Sequence, residues 1–365
     1  MSRIAQKHID SGRRTRITMH PSTYLKLPEQ RIDGLGAGDT SLHLNFLQEE
    51  VASLLFEALL PPPPETKAAP QAAMSASCGA SDVEIIQWQE MLSHGKPVPR
   101  LVCIQGESTL DGAAVPMYRH PVDTQPPCHS FSPSIKAIVD VARTSFGHPF
   151  NHALIQLYRS GEDGINAHSD KTLDLAHGAP IVNVSLGASR EFIIRSKAKL
   201  KGGKGAAEIH RVPLVHNSAL AFGLETNRKF THQIDIDKRP CAQRRPDEAA
   251  WGGVRISITL RVVATFQRLS DGRLFGLGAP HKSAEALGVA CSAGPSAPGG
   301  LHNKQQDEKD GHHMTGGAEL PQQCEETERA RMLEAFQREN HDPDFDWEAS
   351  YGSGFGVISP FPSRC

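Results

Sequence analysis

A pattern of short strand-like runs, some apolar throughout and some alternating apolar with polar positions as strands with one buried face do, recurs along the second half of the chain. It runs through Ala153–Tyr158, Pro180–Gly187, Glu191–Ser196, Glu208–Val215, Ala219–Leu224, Thr231–Asp237 and Arg255–Phe266. Short strands at close spacing with turn residues between them predict a mainly β fold with flanking helices, a sandwich or a jelly roll. Arg100–Ser108 reads as an earlier apolar strand. Two segments ahead of Ala153 repeat at helical period instead. In Asn45–Leu60, Phe46, Val51, Leu54, Leu55 and Leu59 fall on one stripe, with Asn45 as N-cap, and Pro61–Pro64 end it. Ser132-Pro133 opens a second helix that turns Ile135, Ile138, Val139 and Ala142 inward and stops at Gly147. Both helices are expected to buttress one sheet.

Outside these elements the patterning is weaker. Residues 1–40 read as a basic, solvated and disordered leader, or as a weak organellar or nuclear address. Residues 41–98 hold the first helix and a Pro/Ala-rich excursion, and residues 99–268 form the main domain. Residues 269–365 form a tail with a disordered linker and a short charged helix, Glu325–Asn340, whose small apolar face is Met332, Leu333 and Phe336. The net charge of −2 excludes a global basic field, so affinity for nucleic acid must come from local patches. Seven scattered cysteines without a C-x-x-C pair fit reduced thiols better than a disulfide framework. No apolar run approaches membrane-spanning length. The expectation is an intracellular monomer, nuclear or cytoplasmic, with no membrane partner.

Candidate chemistry concentrates between Asn151 and Leu186, where His168 and Asp170 stand two apart and point to one face if they lie on a strand. A carboxylate and a His need a second His to complete the facial triad of a non-haem iron(II) oxygenase. His232 is the candidate, because His232, Ile234 and Ile236 share one face of an alternating run; His216, in a turn, is its rival. In Val254–Val262, Arg255, Ser257, Thr259 and Arg261 alternate with Ile256, Ile258, Leu260 and Val262. Two guanidinium groups on one strand face suit a ligand with two carboxylates, such as 2-oxoglutarate. Arg195, Lys197, Lys199, Lys201 and Lys204 form a local basic loop, which serves either as a solvated hairpin or as a phosphate-binding patch.

The ordered set of H-x-D, a distal His and R-I-S-I-T-L-R resembles the AlkB family of iron(II)/2-oxoglutarate oxygenases over roughly Arg100–Phe266. The G-x-G-A and Y-G-x-G-F endings are similar to those of a fungal-type branch. The resemblance implies a double-stranded β-helix core and iron(II) held by His168, Asp170 and His232, with 2-oxoglutarate and O2 as co-substrates. It implies that Arg255 holds the distal carboxylate of 2-oxoglutarate and Arg261 the end near the metal, with Asn166 and Thr259 orienting these groups. Gln156 and Tyr158 stand where the family places the Asn and Tyr that touch this co-substrate. The Pro-rich loop with Tyr118 and His120 matches the family's substrate lid. Lys171 and Thr172 stand where nucleic-acid-repairing members carry an acidic residue that reads the damaged base, which departs from adenine- or cytosine-type recognition, and Asp174 is expected as a solvated loop residue. The implied function is oxidative demethylation of alkylated DNA or RNA bases, with single-stranded or damaged nucleic acid as partner. The alternative is a 2-oxoglutarate-dependent hydroxylase or demethylase of a small metabolite or a protein side chain, favoured by the near-neutral charge and by Lys171-Thr172.

Overall fold

The computed structural model describes residues 30–61, 86–93, 95–197, 207–289 and 322–361. Strands β1 (Gln30–Leu35) and β2 (Thr40–Leu44) form a hairpin where the end of the leader was expected, and helix α1 (Glu49–Leu59) follows. This helix starts later than the apolar stripe predicts. Asn45 adopts a left-handed φ of 53°, and the amides of Phe46 and Leu47 are bonded to the backbone and side chain of Asn217, so neither enters the first helical turn. Strands β3 (Gln89–Ser93), β4 (Lys96–Gly106), β5 (Ala114–Pro116) and β6 (Cys128–Ser130) lead to helix α2 (Pro133–Phe146), with Gly147 in the left-handed conformation as its cap.

The main β region follows as β7 (His152–Tyr158), β8 (Ile165–His168), β9 (Ile181–Gly187), β10 (Arg190–Ser196), β11 (Ile209–Leu214), β12 (Ser218–Phe222), helix α3 (Leu224–Lys229) and β13 (Phe230–Ile234). After the short helix α4 (Pro246–Ala249) come β14 (Arg255–Arg261), β15 (Thr265–Arg268) and β16 (Leu274–Gly276). The single long strand expected over Arg255–Phe266 is therefore two. The side chain of Asn151 accepts from the amide of Val263 and donates to its carbonyl, which ends β14, and β15 joins a separate sheet with β5 and β16. Helices α5 (Ala284–Val289), α6 (Gln322–His341) and α7 (Trp347–Tyr351) complete the described chain.

The two principal sheets face each other as in a jelly roll. The larger runs β1-β2-β12-β9-β14-β7-β4-β3, and the smaller β11-β10-β13-β8. The parity of β14 decides what each layer holds. Ile256, Ile258 and Leu260 pack on the outer face against Val51, Leu55 and Phe56 of α1 and Ile135, Ile138 and Val139 of α2. The opposite face turns Arg255, Ser257, Thr259 and Arg261 into the space between the sheets, where Phe192, Phe222, Phe230 and Ile234 supply an apolar lining. Helix α6 does not stand apart as a tail element: Met332, Ala335 and Phe336 pack with Leu173, Tyr351 and Phe355 in a cluster of their own. Among the described residues no helix is long and apolar enough to cross a membrane. The first H-x-D copy, His8-Ile9-Asp10, most of the Pro/Ala-rich excursion, Lys199, Lys201 and Lys204, and the linker from residue 290 to 321 lie outside the described residues.

Candidate active site

Register brings the site together. His232 of β13 lies directly opposite His168 at the end of β8, and the two rings are 4.2 Å apart between centroids. Asp170 is not on the strand as expected, because β8 ends at His168; it sits in the loop that follows. The loop still returns its carboxylate to the same place: His168 Nε2 lies 3.9 Å from Asp170 Oδ1. One ligand atom from each of His168, Asp170 and His232 lies within 4.8 Å of the others. His216, the rival, is elsewhere: it accepts from the amide of Gly187 and stacks on Trp251.

Electrostatics prepare these three side chains for a cation. Burial pushes both imidazoles below their ordinary value, so they are neutral with a lone pair free. The carboxyl of Asp170 is desolvated, yet the Arg261 guanidinium beside it holds it below the usual carboxylate range. Arg261 Nη2 donates to Asp170 Oδ2 at 2.8 Å, and His168 Nδ1 meets the backbone oxygen of Asn166 at 2.8 Å, which leaves Nε2 for the cluster. Asn166, expected to orient the arginines, instead meets His168 through its carbonyl. Phe192 stacks on the His232 ring at 5.1 Å, and Phe222 meets it edge-on at 5.0 Å.

The two arginines of β14 are buried and under-used. Among the described residues, Nε and Nη1 of both Arg255 and Arg261 have no hydrogen-bond partner, and neither has Nδ1 of His232. Arg255 Nη2 meets Ser185 Oγ at 2.8 Å and Asn183 Oδ1 at 3.2 Å, and its guanidinium lies 5.1 Å from the centroid of the Tyr158 ring. Buried guanidinium donors left open inside a cavity are costly unless an anion fills it. Four open donors flanking two imidazoles and a carboxylate match a divalent metal carrying a dicarboxylate. Gln156 and Tyr158 face the same cavity from β7, opposite Ser257 and Arg255 in register. Thr259 receives a bond from Asn183 Nδ2 at 3.0 Å.

A groove of about 630 Å³ opens from this cavity toward the surface, within the roughly 300–1,000 Å³ usual for ligand pockets. The lid loop contributes Tyr118 and His120 to it, the β3–β4 hairpin contributes Lys96, and α6 contributes Phe336, Gln337 and Asn340. Tyr118 lies beneath Arg261, 4.0 Å from the guanidinium to the ring centroid, and its hydroxyl accepts from the amide of Lys171. Lys171 lines the groove with Nζ on Asn340 Oδ1 at 3.3 Å. Thr172 does not line it, because its amide and hydroxyl are both taken by Glu339. Asp174, expected in solvent, is fully buried in a bidentate pair with Arg119. Several groups escaped the sequence reading. Asn183 and Ser185 carried a signal, as polar residues on one parity of an apolar strand, whereas Asn227, which both accepts from and donates to the backbone of Asp170, carried none.

Similarity to known proteins agrees with this geometry. The family model of the 2OG-Fe(II) oxygenase superfamily matches residues 53–261. DNA oxidative demethylase ALKBH2 of Mus musculus is 36% identical over 113 residues, which cover 31% of this chain and 47% of that protein. Its Homo sapiens counterpart is 35% identical over 113 residues, covering 31% and 43%. Alpha-ketoglutarate-dependent dioxygenase alkB homolog 3 of Homo sapiens is 27% identical over 167 residues, covering 45% and 52%. The chain thus spans about half the length of the relatives it matches.

Proposed function

We propose that this chain, which belongs to the 2OG-Fe(II) oxygenase superfamily, oxidatively demethylates alkylated bases of nucleic acid. In this reading His168, Asp170 and His232 hold iron(II), and Arg255 and Arg261 hold the carboxylates of 2-oxoglutarate. Iron(II) supplies the activation of O2, coupled to decarboxylation of 2-oxoglutarate, that oxidises a substrate C–H. The chain supplies position, charge and dryness. Ser185 and Asn183 fix the Arg255 guanidinium so that its open Nε and Nη1 face an incoming carboxylate. Arg261 braces Asp170 through one nitrogen and keeps two for the ligand. Phe192 and Phe222 exclude water from the His232 side. Gln156 and Tyr158, on β7, complete the wall that the co-substrate meets.

The observation that carries the substrate class is the charge of the groove. Among the described residues lining it are Lys96, Arg100, Lys171 and Arg261, and the one carboxylate is Asp170, inside the candidate metal site. Such a groove attracts a polyanionic strand, and its apolar floor suits a base taken out of the stack. The ALKBH2 relatives, described as DNA oxidative demethylases, support the same assignment. The test is anaerobic reconstitution with iron(II) and 2-oxoglutarate, followed by formaldehyde release from methylated single-stranded DNA or RNA. Formaldehyde that depends on the methylated oligonucleotide is expected. Succinate formed at one rate with and without it would refute the nucleic-acid assignment and point to a small molecule or a protein side chain.

A further inference from the structure

Residues 169–172, the stretch that carries Asp170, have no strand partner, yet all four of their amides are bonded, each to a side chain from a distant segment. The amide of Ser169 donates to Asn340 Oδ1 at 2.8 Å, that of Asp170 to Asn227 Oδ1 at 2.9 Å, that of Lys171 to the Tyr118 hydroxyl at 3.0 Å, and that of Thr172 to Glu339 Oε1 at 2.9 Å. Ser169, Asp170 and Lys171 are buried, so losing any of these acceptors would strand a donor away from water. Two of the four acceptors come from α6, beyond the region matched by the family model, which ends at residue 261.

We infer that Glu339 and Asn340 are positioning residues of the metal site, which fix the loop bearing Asp170 and make α6 part of the catalytic unit. Glu339 is 2% exposed and is held from both sides: one oxygen takes the amide and hydroxyl of Thr172, the other takes the Tyr351 hydroxyl at 2.7 Å. Asn340 bridges Ser169 and Lys171, the two neighbours of Asp170. The helix itself is anchored independently of these contacts. Met332 and Phe336 pack on Leu173, and Arg119 joins Asp174 to the carbonyls of Phe355 and Val357 at the far end of the tail. Docking of α6 and orientation of Asp170 are therefore separable by mutation. The inference rests on the assignment of His168, Asp170 and His232 as metal ligands.

The test is titration of the whole chain with Co(II), read by its visible absorption, on the wild type, Asn340→Leu, Asn340→Asp, Glu339→Met and Glu334→Ala. Partners that orient metal ligands typically account for roughly 10- to 100-fold in affinity. Asn340→Leu and Glu339→Met are expected to weaken Co(II) by at least about tenfold and to alter its spectrum. Asn340→Asp, which keeps an acceptor for both donors, and Glu334→Ala, on the exposed side of α6, should bind as the wild type does. Wild-type affinity and spectrum in both Asn340→Leu and Glu339→Met would overturn the inference while the metal assignment stood. A wild type that binds no stoichiometric Co(II) would overturn the metal assignment and the inference with it. If Asn340→Leu does not fold, Asn340→Ser is read in the same way, since its shorter side chain no longer reaches the Ser169 amide.

Discussion

Replacing Arg255 by Met should make the ligand-free protein more stable and the liganded one far weaker, an opposition that few buried residues would show. Arg255 is fully buried, and burial lowers its pKa to about 10, which leaves it charged at neutral pH. Its Nε and Nη1 have no partner among the described residues. An unsatisfied buried donor costs roughly 1–3 kcal/mol. Met removes both donors and fills most of the volume with an adaptable apolar chain. The polar groups left behind satisfy one another: Asn183 Nδ2 donates to Ser257 Oγ at 2.7 Å and to Thr259 Oγ1 at 3.0 Å, and Ser185 Oγ donates to Asn183 Oδ1 at 3.4 Å. The expected gain is about 1–3 kcal/mol, or roughly 2–4 °C in Tm per kcal/mol for a domain of this size. Removing one member of a buried ion pair costs about 3–5 kcal/mol, so the Kd for 2-oxoglutarate should rise by roughly two to four orders of magnitude. Thermal melts with Mn(II), with and without 2-oxoglutarate, report both quantities, because the ligand raises Tm only where it binds. A variant that melts below the wild type when unliganded, yet is still raised by 2-oxoglutarate, would refute the reasoning on both counts.

Asp170→Ala should abolish succinate formation while circular dichroism shows the fold intact; turnover at the wild-type rate would sink the proposed ligand set. Asp174→Ala strands the fully buried Arg119 guanidinium and should cost about 3–5 kcal/mol, read as a lower urea midpoint, and an unchanged midpoint would show that the pair carries no stability. His120 gives a pH dependence, since burial pushes its imidazole down to about 4, against about 6.5 in the unfolded chain. Between those values the unfolded state binds a proton that the folded state does not. Stability should therefore fall as pH drops from about 6.5 to about 4, by up to roughly 3 kcal/mol. His120→Phe should flatten that part of the profile, and an identical slope in the variant would assign it to other groups.

The strand-borne half of the site was legible because period-2 alternation fixes direction as well as element. In Arg255–Arg261 the parity that buries Ile256, Ile258 and Leu260 against the helices necessarily turns both arginines to the other face. The same parity selects His232 over His216, since His232 shares its face with Ile234, whereas His216 sits in a turn and was free to be captured by Trp251 and Gly187. Boundaries were less legible where a non-local side chain overrides a local preference. Asn45 lost its place as helix cap because Asn217, about 170 residues on, binds the amides that would have opened the helix. Asn151 likewise ends β14 by bracketing Val263.

Loop residues fared worst, for the physical reason that a loop carries no period from which direction can be read. Thr172 and Asp174 looked like groups available to substrate or solvent, yet both are consumed by buried partners, Glu339 and Arg119, far away in sequence. The charged composition of α6 suggested a solvated helix with a small apolar face. Its positions hold more information than its composition does. Met332, Ala335 and Phe336 are buried, and the same helical stripe continues three and four residues beyond Phe336 to Glu339 and Asn340. A carboxylate and an amide on the continuation of a buried stripe must find donors there, because burying them unpaired would cost more than the stripe's few apolar contacts return. The donors left without a ladder partner are the amides of residues 169–172, and that stretch carries Asp170. Polar residues in phase with an apolar stripe thus mark the segment of the tail that reaches the candidate metal site.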